Sequence, residues 1–432
     1  MWRNRLFWMN DRLRSGQIKR SFQEIDQIMS NPASQESLQI KKANLQAMLE
    51  HAVSTTRFYK QLSGFKGILD FPVIEKNRIR ENIPDFTSDL HDIRKLKRVS
   101  TSGSTGAPFS LYHCKAKRAR NAADNLFFSG FGNYRPGDPL YFLRVWNEIN
   151  RKSPLSNFIS NTHPVDVSDL SDLFLEKIYK RMNRWQKGAV ILGYGSFFEV
   201  FAGYLQTNRL PVSARPKAIL VMSDPLHAVT RAFLSDLFKC PVLARYSNTE
   251  NGFLGHQWTM DSMEYLMNTA SFHIEFLQMD EDHPVETGQP GRIVVTDLFN
   301  YAIPMIRYDT GDIGTPGEAV IDHEIHPVFK AIEGRKMDFI RSTSGELLSP
   351  HAIEYAVRNT LDLLQFQVIQ VGEKEYTVKL IVRKRNGEQE KTVLRNMKGR
   401  LGGDAMINIE FVEDIPLLPS GKRKIVVNAL NE

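Results

Sequence analysis

A chain of 432 residues, 42% hydrophobic and 24% charged, has the composition of an ordinary globular protein with room for a large core and more than one domain. Its 56 Lys and Arg against 49 Asp and Glu leave a mild +7 excess, and without a dense basic run this suits anionic small molecules and gives no reason to expect nucleic acid as a partner. Two cysteines, Cys114 and Cys240, cannot build a disulfide framework or a four-thiolate zinc site, and they fit a reducing cytosol.

The first twenty residues, MWRNRLFWMNDRLRSGQIKR, are basic and aromatic but lack a continuous apolar run, so they are no signal peptide. They read as a solvated amphipathic arm, with contact to a membrane surface as the alternative. SLQIKKANLQAMLEHAVSTTRFYKQL (37–62) has helical spacing, and FPVIEKNRIRENIPDF (71–86) is a proline-bounded connector. KRVST and FSLYH are short strands, followed by a helix near 115–130, a turn at YRPGDPL and a strand at LYFLRVW. A helix over 170–186 precedes GAVILGYGSFFEVFAGYL (188–205), where Glu199 and the glycines argue for buried strand, turn and helix rather than a membrane span. The strand KAILVMSD, the helix PLHAVTRAFLSDLF and the strand PVLARYS complete an alternation that implies a mostly parallel, covered sheet. From about 263 to 330 the segments are short, turn-rich and alternating, as antiparallel strands are. A helix over 351–363, strands QFQVIQ and YTVKLIVRK, a helix near 388–400 and INIEFV then form a compact α+β unit. The expected fold is therefore α/β, a large N-terminal domain (1–336) with mostly parallel sheets plus a small C-terminal α+β domain (337–432).

Between the two short strands lies TSGSTGAPF, dense in hydroxyls and glycine, which can turn N–H groups and hydroxyls toward one point as phosphate cradles do. The Walker pattern fails, because Ala107 stands where it needs lysine. A solvated hairpin loop is the alternative. Four other stretches are as polar: RYSNTENG (245–252), PMIRYDTGDIG (304–314), EGRKMD (333–338) and LPSGKRK (418–424). Singly each has a bland explanation, since TGD is a turn and PSGKRK a basic tail.

Together, in this order and spacing, they resemble the motifs of the adenylate-forming superfamily, and within it the phenylacetate–CoA ligase branch with its relatives from capsule and other polysaccharide loci. The resemblance runs from about residue 40 to the C-terminus. It implies a phosphate loop formed by Thr101, Ser102, Gly103, Ser104, Thr105 and Gly106, with Ala107 where many members carry lysine. It implies Tyr246 stacked on adenine beside Ser247, where a glycine is usual, and Ser223 and Asp224 among the nucleotide-binding residues. Thr249 would contact the α-phosphate, and Glu250 would hold Mg²⁺. Asp312 would accept the ribose hydroxyls, Arg335 would reach ribose and phosphate, and Lys422 would serve the adenylation step from the small domain. Met337 replaces the polar hinge residue usual in the family.

The implied reaction is attack of a carboxylate on the α-phosphate of ATP, giving an acyl-adenylate and pyrophosphate, then transfer to coenzyme A. A carrier-protein thiol or an amine in secondary-metabolite or polysaccharide assembly is the alternative acceptor, and a non-catalytic nucleotide-binding or scaffold protein the alternative of another class. The acyl pocket is expected around Tyr141, Trp146, Tyr194, Gly195, Phe197, Asn251 and His256, which suits an aryl or other planar acid. Aromatic residues there are equally ordinary core, and His256 equally a structural histidine. No cysteine lies in 251–290, so no zinc is expected. The resemblance implies a cytosolic enzyme acting on a small carboxylic acid, without stable membrane insertion.

Overall fold

The computed structural model describes residues 2–101, 109–146, 153–335, 339–348, 353, 356–357, 363–382, 387–416 and 425–431. The expected helix over 351–363 lies largely outside them. The chain divides into two compact units. The first comprises Met1–Glu275, Val294–Asp309 and Pro316–Ala331; the second comprises Phe276–Ile293, Thr310–Thr315 and Ile332–Glu432.

The first unit opens with three helices, α1 (Trp2–Leu13), α2 (Gln17–Ser30) and α3 (Gln35–Thr55). The N-terminal arm is thus helical and docked. Trp8 packs edge-on against Phe22, and the Asp11 carboxylate turns inward to accept the Ile18 and Lys19 N–H groups at 3.0 Å, capping α2. α3 stops seven residues short of the expected end, where STT concentrates residues that favour extended backbone. The connector at 71–86 winds into two short helices, α4 (Lys76–Glu81) and α5 (Ile83–Phe86).

Strands β1 (Lys97–Thr101) and β2 (Phe109–His113) pair antiparallel around the hydroxyl-rich loop, whose residues 102–108 lie outside the described ones. α6 (Lys115–Ser129) follows. The central sheet begins with β3 (Leu140–Arg144), β4 (Thr162–Asp166), β5 (Val190–Tyr194), β6 (Ala218–Met222) and β7 (Val242–Asn248), all parallel in the order β4-β3-β5-β6-β7. Helices α7 (Pro154–Ser160), α8 (Asp172–Met182), α9 (Gly195–Thr207) and α10 (Ala228–Phe238) connect them. β5 and β6 are buried at every position, as strands covered on both faces must be.

After β7 the direction reverses. β8 (Gly252–His256), β9 (Tyr265–Met267) and β13 (Glu324–Arg335) add antiparallel strands, and the sheet continues through β12 (Tyr308–Ile321), β11 (Gly291–Asp297) and β10 (Phe272–Leu277), whose residues are shared between the units. The second unit carries its own core around Ile340, Val368, Val378, Leu380, Val393 and Met397. Its strands β16 (Leu363–Gln370), β17 (Glu375–Val382), β18 (Met406–Phe411) and β19 (Val426–Asn428) form a four-stranded sheet in the order β18-β17-β16-β19, with α11 (Gly387–Leu401) between β17 and β18. A two-stranded ribbon, β14 (Ile340–Arg341) with β15 (Leu347–Leu348), precedes it. Among the described residues no helix is long and apolar enough to cross a membrane.

Candidate active site

The parallel strands end along one edge, where open α/β sheets take their ligands. β7 leaves the sheet there and returns as β8 through a turn at Thr249–Asn251, after a register shift at Tyr246/Ser247. The turn is locked locally: the Asn248 side-chain oxygen accepts the Asn251 N–H at 2.7 Å. Gly252 follows with φ +101°, a conformation that calls for glycine, and a Cβ there would stand 2.8 Å from Asn121 Oδ1 and push that side chain aside.

This turn presents Thr249 to solvent and holds Glu250 at 6% exposure. Three residues from other elements converge on Glu250. Lys76, the first residue of α4, donates to Oε1 at 2.9 Å, and the Tyr308 hydroxyl donates to the same oxygen at 3.4 Å. His113, the last residue of β2, donates from Nε2 to the Glu250 carbonyl at 2.9 Å, which fixes its tautomer. Burial first, and Lys117 second, hold His113 below the usual histidine range, so it is neutral. The Lys76 ammonium also lies 5.0 Å from the Phe109 ring centroid. Glu250 Oε2 takes no hydrogen bond among the described residues, which leaves one oxygen of a nearly buried carboxylate open. One hard oxygen fits Mg²⁺ when phosphate oxygens and water complete the shell. No group of three His, Cys, Asp or Glu side chains among the described residues could hold a metal without such help.

Tyr246 and Ser247 sit half-buried just before the turn, and the Tyr246 ring meets Phe329 edge-on at 5.3 Å. Asn251 is fully buried, and neither polar atom of its side chain has a partner. Along the same edge, Tyr194 ends β5, Gly195 opens α9, and Ser223 (φ +71°) follows β6. A Cβ on Gly195 would lie 2.5 Å from the carbonyls of Asp224 and Pro225, so only glycine lets the α9 start approach that loop. Asp224 is tied to α9 by the Ser196 hydroxyl at 2.8 Å.

Other expected residues have contacts of their own. Tyr141 is stacked between Trp185 (4.0 Å) and His163 (4.7 Å), with its hydroxyl accepting the Gln186 N–H. Phe197 stacks on Phe201 in the core beneath α9, and Trp146 donates to the Val165 carbonyl at 3.1 Å. His256 is inaccessible, packed on Phe128, Phe131 and Phe253; burial pulls it down to about 3, and Nδ1 donates to the Gln257 carbonyl while Nε2 has no partner. Asp312 and Arg335 belong to the second unit, where Asp312 follows Gly311 (φ +76°) and its N–H donates to the Thr310 hydroxyl. Ser102, Gly103, Ser104, Thr105, Gly106, Met337 and Lys422, with the side chains of Thr101 and Arg335, lie outside the described residues.

Comparison with known proteins gives the same architecture. Residues 340–429 match the CapK C-terminal domain. Protein CapK of Staphylococcus aureus is 23% identical over 389 residues, 85% of this chain and 82% of that one. The structure of 2-hydroxyisobutyryl-CoA ligase in its postadenylation state, in complex with an acyl-AMP, superposes with a TM-score of 0.72 at 16% identity, covering 92% of this chain and 90% of that one. ATP-bound MatB from Rhodopseudomonas palustris superposes at 0.57 and 18% identity, covering 78% and 68%. The chain has the fold of the adenylate-forming ligases, with a CapK-like C-terminal domain.

Proposed function

We propose that this protein activates a carboxylic acid with ATP and passes the acyl group to the thiol of coenzyme A. A carboxylate oxygen attacks the α-phosphorus, the bond to the β-phosphate oxygen breaks, and acyl-AMP and pyrophosphate result. The thiol then attacks the acyl carbon, AMP leaves, and the thiol proton passes to water. The observation that carries the reading is Glu250, held by Lys76, Tyr308 and His113 at the end of a parallel sheet in a fold shared with ATP- and acyl-AMP-binding ligases.

The chemistry asks for cations beside the phosphates, because a carboxylate must approach a polyanion. Mg²⁺, held by Glu250 and phosphate oxygens, would neutralise charge on the leaving pyrophosphate. Lys76 supplies a second cation at that carboxylate, in a chain whose phosphate loop carries Ala107 instead of lysine. Tyr246 presents a flat face to adenine, Thr249 a hydroxyl to the α-phosphate, and His113 keeps the turn in place. By the family resemblance, Asp312 and Arg335 would serve the ribose and Lys422 the reacting oxygens.

Acid-dependent ATP–pyrophosphate exchange tests the first half. Lys422→Ala should slow adenylation by roughly 10²- to 10³-fold, the loss expected for one charge-stabilising donor, and leave conversion of a pre-made acyl-adenylate near normal. Lys424→Ala is the control. Equal, small effects at both lysines would return that segment to a solvated tail.

A further inference from the structure

We propose that the acid bound by this chain carries a second anionic group, held between the guanidiniums of Arg144 and Arg245 at the carboxyl edge of the parallel sheet. This rests on the acid-activating reading of the site and names the class of substrate.

Strand register places the two arginines. Phe142 pairs with Leu192, Tyr194 with Met222, and Leu220 with Leu243 across β3, β5, β6 and β7. Two residues on from the first and last of these pairs, Arg144 aligns with Tyr194 and Met222 with Arg245. Aligned residues of neighbouring strands share a face, so the four side chains form one row on the last turn of the sheet. The face is the one that carries α6: Arg245 Nη1 approaches Asn125 Oδ1 of α6 at 3.5 Å, and Nη2 approaches Met222 Sδ at 3.2 Å. Arg144 leans from the other end of the row, bonded to the Tyr194 hydroxyl and lying 5.5 and 5.4 Å from the Phe142 and Trp146 rings. The arginines thus reach toward each other over the two strands between them.

Among the described residues every partner of either guanidinium is neutral. Among the described residues no carboxylate meets them, and the Nε atom of each is buried without a partner. Burial, and then the like charge of Arg144, draw Arg245 down to about 10. Elsewhere in this unit Arg120 pairs with Glu24 at 2.8 Å and Lys117 with Asp297 at 2.6 Å, and buried Arg231, which meets no carboxylate among the described residues, gives its donors to the Val242, Thr259 and Ser262 carbonyls. Both arginines are half-buried, and Asp166, aligned with Arg144 on β4, forms no ion pair with it among the described residues. Two like charges facing each other without a paired counter-charge repel, and the guanidinium fork matches a carboxylate or phosphate. Arg245 directly precedes Tyr246, so an anion on this row lies at the same edge as the nucleotide residues.

The test compares acids that differ in one terminus: butyrate, glutarate and 4-phosphonobutyrate, with phenylacetate and 4-carboxyphenylacetate as an aryl pair. Melting temperature with each acid alone and ATP–pyrophosphate exchange are both read. The doubly anionic acids should raise the melting temperature and exceed their singly anionic partners in exchange kcat/KM by about 100-fold, the scale of a lost charge-assisted pair. Arg144→Gln and Arg245→Gln should each cut that ratio about tenfold or more, and Arg245→Lys should restore part of it. The better of carboxylate and phosphonate identifies the group. Equal treatment of both kinds of acid in both readouts, or a preference that survives both glutamine variants, overturns the proposal. Exchange absent with every acid, with stabilisation by dianions still lost in the variants, would refute adenylation and leave the anion site standing.

Discussion

Two lysine–carboxylate pairs in the first unit share their chemistry and differ in their surroundings. Lys117 and Asp297 meet at 2.6 Å with both side chains wholly inaccessible, the ammonium over the Phe272 ring and Asp297 Oδ1 accepting the Phe299 N–H. The contact is an ion pair rather than an aligned hydrogen bond. Lys76 and Glu250 meet at 2.9 Å with Lys76 33% exposed. His113 lies within the field of both pairs. A pair sealed among rings joins α6 to the end of β11, and nothing can enter to exchange partners with it. A pair whose lysine side chain is one-third exposed and whose carboxylate keeps one open oxygen can turn toward a ligand. Access, rather than charge pairing, separates the structural carboxylate from the candidate catalytic one.

The sharpest way to break this contrast is Asp297→Asn. It leaves Lys117 charged in a sealed core and should destabilise the first unit by about 3–5 kcal/mol, read from the urea midpoint. A loss below about 1 kcal/mol would show that the buried pair is dispensable. Glu250→Gln should act in the opposite sense. Adenylation should fall about a hundredfold, with a higher Mg²⁺ requirement and a nearly unchanged urea midpoint, since Lys76 keeps access to water. Near wild-type exchange at low Mg²⁺ would remove Glu250 from the site. Lys76→Met should raise the KM for ATP about tenfold; a fall in stability without a change in KM would make that lysine merely structural.

At neutral pH the smallest effect is that of His256, which acts only through the pH profile of stability. Its folded value, about 3, lies below its unfolded one. Above about pH 6.5 both states are neutral and the residue contributes no slope. As pH falls from there toward 3 the unfolded chain takes up a proton that the fold refuses, and stability drops by up to about 1.4 kcal/mol per pH unit. His256→Gln should flatten the profile in that window by nearly one proton, and an unchanged slope between pH 4 and 6 would mean that the buried ring protonates in place.

Part of the site was legible because it is local. Tyr246, Ser247, Thr249 and Glu250 fall within five residues, and the β7–β8 turn that displays them needs only an Asn cap and Gly252. The strand–helix alternation was legible because apolar periodicity and turn residues act at short range. The small α+β unit could be read for the same reason, its strands being only short turns apart. The glycines of GYGS argued for a turn between strand and helix, and the structure adds that Gly195 stands against the carbonyls of Asp224 and Pro225.

What no local pattern carries was decided by packing. Lys76 stands 174 positions from Glu250, His113 stands 137 and Tyr308 stands 58, and only the assembled sheet and the helices beside it bring them together. Tyr141 and Phe197 are aromatic in the expected stretches, yet ring stacking and helix packing use them inside the core. The sequence by itself determined the element order and the short turn that displays Glu250, because those depend on neighbours a few residues away. The alignment of Arg144 with Arg245 was the work of the tertiary structure, since register across four parallel strands is set by how helices cover the sheet and is written in no single segment.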